Sequence, residues 1–336
     1  MRPTVLAVMS RGQGLITRRD AILAGMTGRE VDRLVRTGDW MAVHRGVYAD
    51  AEVAAGAKTP GSRQRLLDRA ACLRVTVPFV RSHTTAALEL GLSVLLPPEP
   101  LTHVTRPCVG THSDYRVKHH LAPYEDAQVI EANGFPVLGR ARTAIDIARH
   151  DGYPYGLIAV DNARWHGVTL DELDRALAPM RFWPDRRNAV EAIEMSDAGA
   201  ENPAETLTRT LLYEIGRTDV ETQFGVTDGV REAWADLRVG RHLIEFDGLV
   251  KYRPVGDGGV ATVSPEQVVR EEKRREDFLR SFRLGMSRVG WGDVWGPGRE
   301  FAKLRLEREI AATDRLWGRS IDDLDRFIIK GRQRAA

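Results

Sequence analysis

Three carboxylates have a spacing that could do chemistry: Asp236, then Glu245 and Asp247 within the string Glu245-Phe246-Asp247-Gly248. The segments ADLRV and HLIEFD read as two strands, with Gly240-Arg241 at the turn between them. A two-residue type II′ turn with glycine first would pair Val239 with His242, Arg238 with Leu243, Leu237 with Ile244 and Asp236 with Glu245. In that register the Asp236 and Glu245 Cβ atoms stand about 5 Å apart. Asp247, two residues beyond Glu245, points to the same side of its strand. A longer loop would break the direct pairing and keep the relation between Glu245 and Asp247. Like charges placed in this way repel, and desolvation adds to the cost. A divalent cation resolves the repulsion, and hard oxygen donors suit Mg²⁺ or Mn²⁺. Such a cation can lower the pKa of a bound water and stabilise charge on a phosphate.

Certain elements must position these groups. GAENPAETLTRTLLYEIG predicts an amphipathic helix, with Pro203 near its first turn and Gly216 at its end. TQFGV, WADLRV and RHLIEFD are strand-like. A polar, glycine-rich loop runs from Tyr252 to Ser264, then PEQVVREEKRREDFLRSFRL reads as a long charged helix and GMSRV as an apolar strand. The order is helix, three strands, helix, strand. The tail after Trp317 is expected as a helix or a frayed end. Lysine is scarce, with six among the 49 basic side chains. Lys251 is therefore a candidate for a role that needs a compact charge or a shiftable pKa.

Asp236, followed after eight residues by Glu245-Phe246-Asp247-Gly248, resembles the PD-(D/E)XK nuclease core. More narrowly, residues of about 199–295 are similar to the very-short-patch-repair-like endonuclease-fold proteins. The resemblance implies a helical glutamate, matched by Glu205, and a basic helix and strand after the hairpin. It implies Mg²⁺ held by Asp236 and Glu245, with Asp247 completing the shell or orienting water. Lys251 would stabilise the developing charge. Glu272 and Arg275 would line the site, and the reaction would be phosphodiester hydrolysis in DNA. The sequence departs from the pattern at one place. Asp247 stands where the superfamily has its lysine, and Lys251 stands where the narrower group often has histidine. An inert nuclease fold kept for binding or packing is the competing reading.

The N-terminal segment has a different character. Thr17 can cap a helix RRDAILAG that ends at Gly25, and Thr27 a second helix GREVDRLVRTG that ends at Gly38. Arg29, Arg33 and Arg36 fall on one face of the second helix. WMAVHRGVYAD then reads as a hairpin turning at Arg45-Gly46. Helix, turn, helix, hairpin is the order of a winged helix-turn-helix. A small helical domain with a solvated arginine face is the alternative. AEVAAGAKTPGS reads as a flexible linker. Beyond it, RQRLLDRAACLRV, SHTTAALELGL, RARTAIDIARH and YGLIAVDNARWH predict helices, and LTHVT and YRVKHH predict short strands. His103, Cys108, His112, His119 and His120 lie close together here. Their spacing matches no zinc-finger or ribbon pattern, so they are expected as surface or packing residues.

The winged helix followed by SHTTAALELGL, LTHVT and FPVLGRARTAIDIARH resembles the AbiE-type antitoxins of type IV toxin–antitoxin systems, over residues of about 4–150. The resemblance implies operator binding through Arg29, Arg33 and Arg36, with the wing near Arg45, and a cognate toxin as a partner class. The expected architecture is a multidomain α/β and α+β chain. It comprises a winged helix-turn-helix at 1–52, a mixed α+β antitoxin-like middle domain at 62–196 and a restriction-endonuclease-like α/β core at 199–318. The 336-residue length fits this division. Net charge is +2, which excludes a polyelectrolyte binder. No long apolar run or signal peptide is evident, and two cysteines fit a reducing cytoplasm. Two functions compete: a metal-dependent DNA endonuclease, and an antitoxin-like repressor with an inert nuclease fold.

Overall fold

The computed structural model describes residues 2–108, 112–114, 116–247, 265–329 and 331. The chain is a mixed α/β protein with three sheets and two compact units. The first unit comprises residues 1–163 and 168–194, the second residues 164–167 and 195–336.

The first unit opens with α1 (Pro3–Arg11), β1 (Leu15–Thr17), α2 (Arg18–Leu23), α3 (Gly28–Thr37), β2 (Trp40–His44) and β3 (Val47–Asp50). The strands form an antiparallel sheet in the order β1-β3-β2. The helix starts follow from local chemistry. Thr17 Oγ1 accepts from Asp20 N at 3.0 Å. At the next start, Thr27 Oγ1 accepts from Glu30 N at 3.2 Å, while Glu30 returns a carboxylate to Thr27 N at 2.6 Å. Gly38, at φ +81°, ends α3 in the left-handed region. Val5, Met9, Ile16, Ala21, Val31 and Trp40 form the small core that locks helices to wing.

The stretch expected as a linker is ordered instead. Asp50 caps α4 (Ala51–Gly56), and Thr59 caps α5 (Pro60–Cys72) through a reciprocal bond with Ser62. Small residues in this stretch serve helix packing as well as they serve flexibility. Next come β4 (Val80–Arg81), α6 (His83–Glu89), β5 (Thr102–Arg106), β6 (His112–Asp114), β7 (Val117–Leu121), β8 (Val129–Ala132) and β9 (Phe135–Leu138). They make a six-stranded mixed sheet in the order β6-β7-β5-β4-β9-β8, parallel at β5–β7 and β4–β9. The helices α7 (Arg140–Asp151), α8 (Tyr155–Trp165), α9 (Leu170–Leu177) and α10 (Arg186–Glu194) follow. Ile145, Ile147, Val160, Leu173 and Met180 pack with α6 into the largest apolar cluster of this unit.

The second unit carries α11 (Pro203–Glu214), β10 (Val220–Thr227), β11 (Glu232–Val239), β12 (His242–Phe246), α12 (Pro265–Ser281), β13 (Gly285–Val289), α13 (Trp291–Val294) and α14 (Arg299–Trp317). Its sheet has the order β10-β11-β12-β13, antiparallel except for the parallel pair β12–β13. A parallel pair needs a crossover, and α12 lies between those two strands in the chain. The helix, three strands, helix, strand order read from the sequence is the order present. Among the described residues, the tail beyond Trp317 does not continue the helix but packs back on the unit. It turns once at Asp322–Leu324, buries Leu324 against Phe224 and Phe282, and bridges Val226 through Ile328. Apolar Leu324, Phe327 and Ile328, hidden among charges in the sequence, hold it there.

Candidate nucleic-acid interface and carboxylate site

On α3, Arg29, Arg33 and Arg36 are all exposed, at the spacing of one helical face. None of the three makes an ion pair among the described residues. The acidic residues of the same helix are held elsewhere. Asp32 is bound by Arg18 at 2.6 Å, and Glu30 by Arg2 at 3.2 Å and by the Thr27 cap. The Arg18 guanidinium holds the Asp32 carboxyl below its usual range, and the Thr27 cap does the same for Glu30. The acids are thereby kept as anchored anions, and the arginines present the free positive face. Arg45 is exposed at the β2–β3 turn, where Gly46 adopts φ +71°. A helix of this kind fits the major groove, and a wing hairpin lies beside it along the backbone.

In the second unit, the β11–β12 hairpin has the expected register: Leu237 with Ile244, Arg238 with Leu243 and Val239 with His242, around Gly240 at φ +55°. The next step, at Asp236 and Glu245, departs from simple pairing. Asp236 Oδ2 accepts from Phe246 N at 2.8 Å, across the hairpin. Glu245 is buried and gripped by Arg275 of α12, whose guanidinium also bonds the Trp234 carbonyl. Arg275 thus contacts one of the expected site carboxylates, whereas Glu272 pairs with Arg288 at 3.2 Å. Glu205 lies on α11, 4% exposed, accepting from Glu201 N at 2.8 Å and Asn202 Nδ2 at 2.6 Å. Burial, with the neighbouring Asp236 charge second, pushes its carboxyl up to about 8. Asp247 donates its backbone N–H to the Val289 carbonyl at 2.8 Å. Lys251 lies outside the described residues.

Glu205 thus feels the Asp236 charge, and Glu245 is held by Arg275. Among the described residues these carboxylates form no group of three donors close enough to share one ion. Their all-oxygen chemistry suits Mg²⁺ or Mn²⁺, but the third carboxylate would first have to leave Arg275.

Residues 4–49 match the family described as "Transcriptional regulator, AbiEi antitoxin". The match covers α1 to β3, the whole of the winged segment, and supports DNA binding and transcription regulation there. The sequence resemblance had extended to about residue 150. A comparison with curated proteins gave no match. No helix among the described residues is long and apolar enough to cross a membrane.

Several residues of interest were not singled out in the sequence. Gln223 takes φ +54° inside β10 and breaks the ladder between the Thr222–Leu237 and Phe224–Ala235 pairs, opposite Asp236. Its Nε2 reaches Glu205 Oε2 at 3.4 Å. No residue-type signal marks such a backbone outlier in advance. Arg19 and Arg45 of the AbiEi-like segment share one surface hollow with Arg74, just past the end of α5. The middle-segment histidines divide between packing and surface, and the sequence did not show which of them meet. His103 and His120 meet His83 and His150, while His119 turns to Arg106 and Cys108 is exposed.

Proposed function

We propose that this chain is a DNA-binding transcriptional regulator of the antitoxin type, with α3 in the major groove and the β2–β3 turn as its wing. The carrying observation is the exposed stripe of Arg29, Arg33 and Arg36, on a helix whose own acids are tied back to Arg2, Arg18 and Thr27. The family match over the same segment supports the reading. A cognate toxin is the partner class that goes with it. The test is a gel shift on the DNA upstream of its own gene. Arg29→Ala with Arg33→Ala should weaken binding at least about tenfold, since single specific contacts are worth about 1–3 kcal/mol. An unchanged shift would remove α3 from the interface.

A second reading rests on a separate observation. In the helix, three strands, helix, strand order of the second unit, Gln223 bonds Glu205 from opposite Asp236 in a costly backbone conformation, and the Asp236 charge acts on Glu205. This favours a metal-dependent DNA endonuclease of the PD-(D/E)XK type. Glu205, Asp236 and Glu245 would hold Mg²⁺ or Mn²⁺, with Asp247 completing the shell or orienting water. The ion would supply Lewis acidity and a more acidic water. Arg275 would release Glu245 and turn toward a phosphate oxygen, and Lys251 would add positive charge. Plasmid nicking in Mg²⁺ or Mn²⁺ that is lost in Asp236→Ala and Glu245→Ala would support this reading. Nicking that survives the double substitution would assign the activity elsewhere.

A further inference from the structure

Four imidazoles from four separate elements of the first unit meet at one point. His83 begins α6, His103 lies in β5, His120 in β7 and His150 in the last turn of α7. Ring nitrogens of His83, His103 and His120 all lie within 4.8 Å of one another. His103 Nδ1 and His120 Nε2 are 2.9 Å apart. The rings of His83 and His120 stack at 3.8 Å, and His150 stands edge-on to the other three at 5.2 to 5.3 Å.

This arrangement is a poor way to build an apolar core. Each imidazole carries two polar nitrogens, and His83 and His103 are each only 4% exposed. One ring nitrogen each of His83, His103 and His120 lies close to the other two. Two ring nitrogens at 2.9 Å need a proton or a cation to hold them together. His83 also sits at φ +49°, an uncommon conformation for a residue with a side chain, which aims its ring at the cluster. The outer partners are those of a ligand set. Ser82 Oγ lies 2.9 Å from His83 Nδ1, and Asp151 Oδ1 lies 2.7 Å from His150 Nδ1, leaving each Nε2 to face inward or to solvent.

We propose that His83, His103 and His120 bind a divalent transition-metal ion, Zn²⁺ by preference, with His150, which stands outside that convergent group of three, turning in from the solvent side as the fourth ligand. Imidazole nitrogen suits Zn²⁺, Cu²⁺ and Ni²⁺, and four such donors suit tetrahedral Zn²⁺. Donors on one tetrahedral Zn²⁺ stand about 3.3 Å apart, a spacing within the spread found here. The ion would tie α6 and α7 to β5 and β7. The site is independent of the carboxylates of the second unit and of the DNA-binding helix.

The test uses the full chain purified without a histidine tag, loaded with Zn²⁺ or Co²⁺ and dialysed. Elemental analysis should find about one ion per chain, and Co²⁺ should give the visible bands of tetrahedral nitrogen coordination. His103→Ala with His120→Ala should bind less than about a tenth of that amount, whereas His119→Ala should bind as the parent does. The double variant removes two packed rings and could fail to fold. His150→Ala, at an exposed position, covers that case and should weaken the affinity about tenfold or more with an unchanged circular dichroism spectrum. No stoichiometric metal in the loaded parent overturns the proposal. So does an affinity that His150→Ala leaves unchanged, or one that His119→Ala reduces equally.

Discussion

Glu205 shows what a single buried side chain can decide. Its carboxyl titrates at about 8 in the folded chain because burial and the Asp236 charge disfavour the anion, against about 4.3 when unfolded. The folded state therefore keeps the proton longer. The stability this contributes is complete below the unfolded value and is lost as pH rises toward about 8. The loss runs at up to about 1.4 kcal/mol per pH unit. Glu205→Gln is neutral throughout and should flatten this part of the pH–stability curve, measured by thermal melts across the neutral range. An equally steep fall in the variant would place the titrating group elsewhere. His242 works in the opposite sense. Burial between Thr313 and Ser287 lowers its pKa to about 4, so its contribution is present above the unfolded histidine range and is lost as pH falls toward that value. His242→Gln should reduce the acid sensitivity of the second unit, read by the same melts below neutral pH.

At the scale of elements, α3 depends on its two ends. Thr27 and Glu30 satisfy each other's backbone at the start, and Gly38 ends the helix at φ +81°. Thr27→Ala should cost about 1 kcal/mol through the lost cap. Gly38→Ala should cost about 1–2 kcal/mol through the forced left-handed residue. Both belong to denaturation melts, and neither changes a charge on the arginine face of α3. If either raised stability, the end chemistry would have been misjudged. These ends were legible in the sequence because capping is local: a threonine, a glutamate three residues on, and a glycine at the stop. The hairpin at Gly240-Arg241 was legible for the same reason. The linker was misread because small residues fit both a flexible chain and the helices α4 and α5, and only packing separates the two.

At the scale of the whole molecule, a net charge of +2 leaves little long-range attraction for DNA. In the proposed function, binding by α3 and the wing would then rest on few local contacts. Four arginines each neutralising one phosphate would give a log K against log salt slope of about −3.6. Each Arg→Ala at 29, 33, 36 or 45 should reduce that slope by about 0.9, while Arg187→Ala, on α10, should leave it unchanged. A slope far steeper than this would mean that other basic surfaces join the interface.

The sequence by itself determined what local rules govern. Helix ends at Thr17, Thr27 and Gly38, the order of elements in the second unit and the register around Gly240 all follow from neighbouring residues. What it could not determine depends on side chains far apart in the chain. Only the tertiary structure seats Arg275 on Glu245 across 30 positions, turns Gln223 toward Glu205 and gathers His83, His103, His120 and His150 from four elements. Such meetings are set by sheet order and helix packing, and no spacing along the chain encodes them.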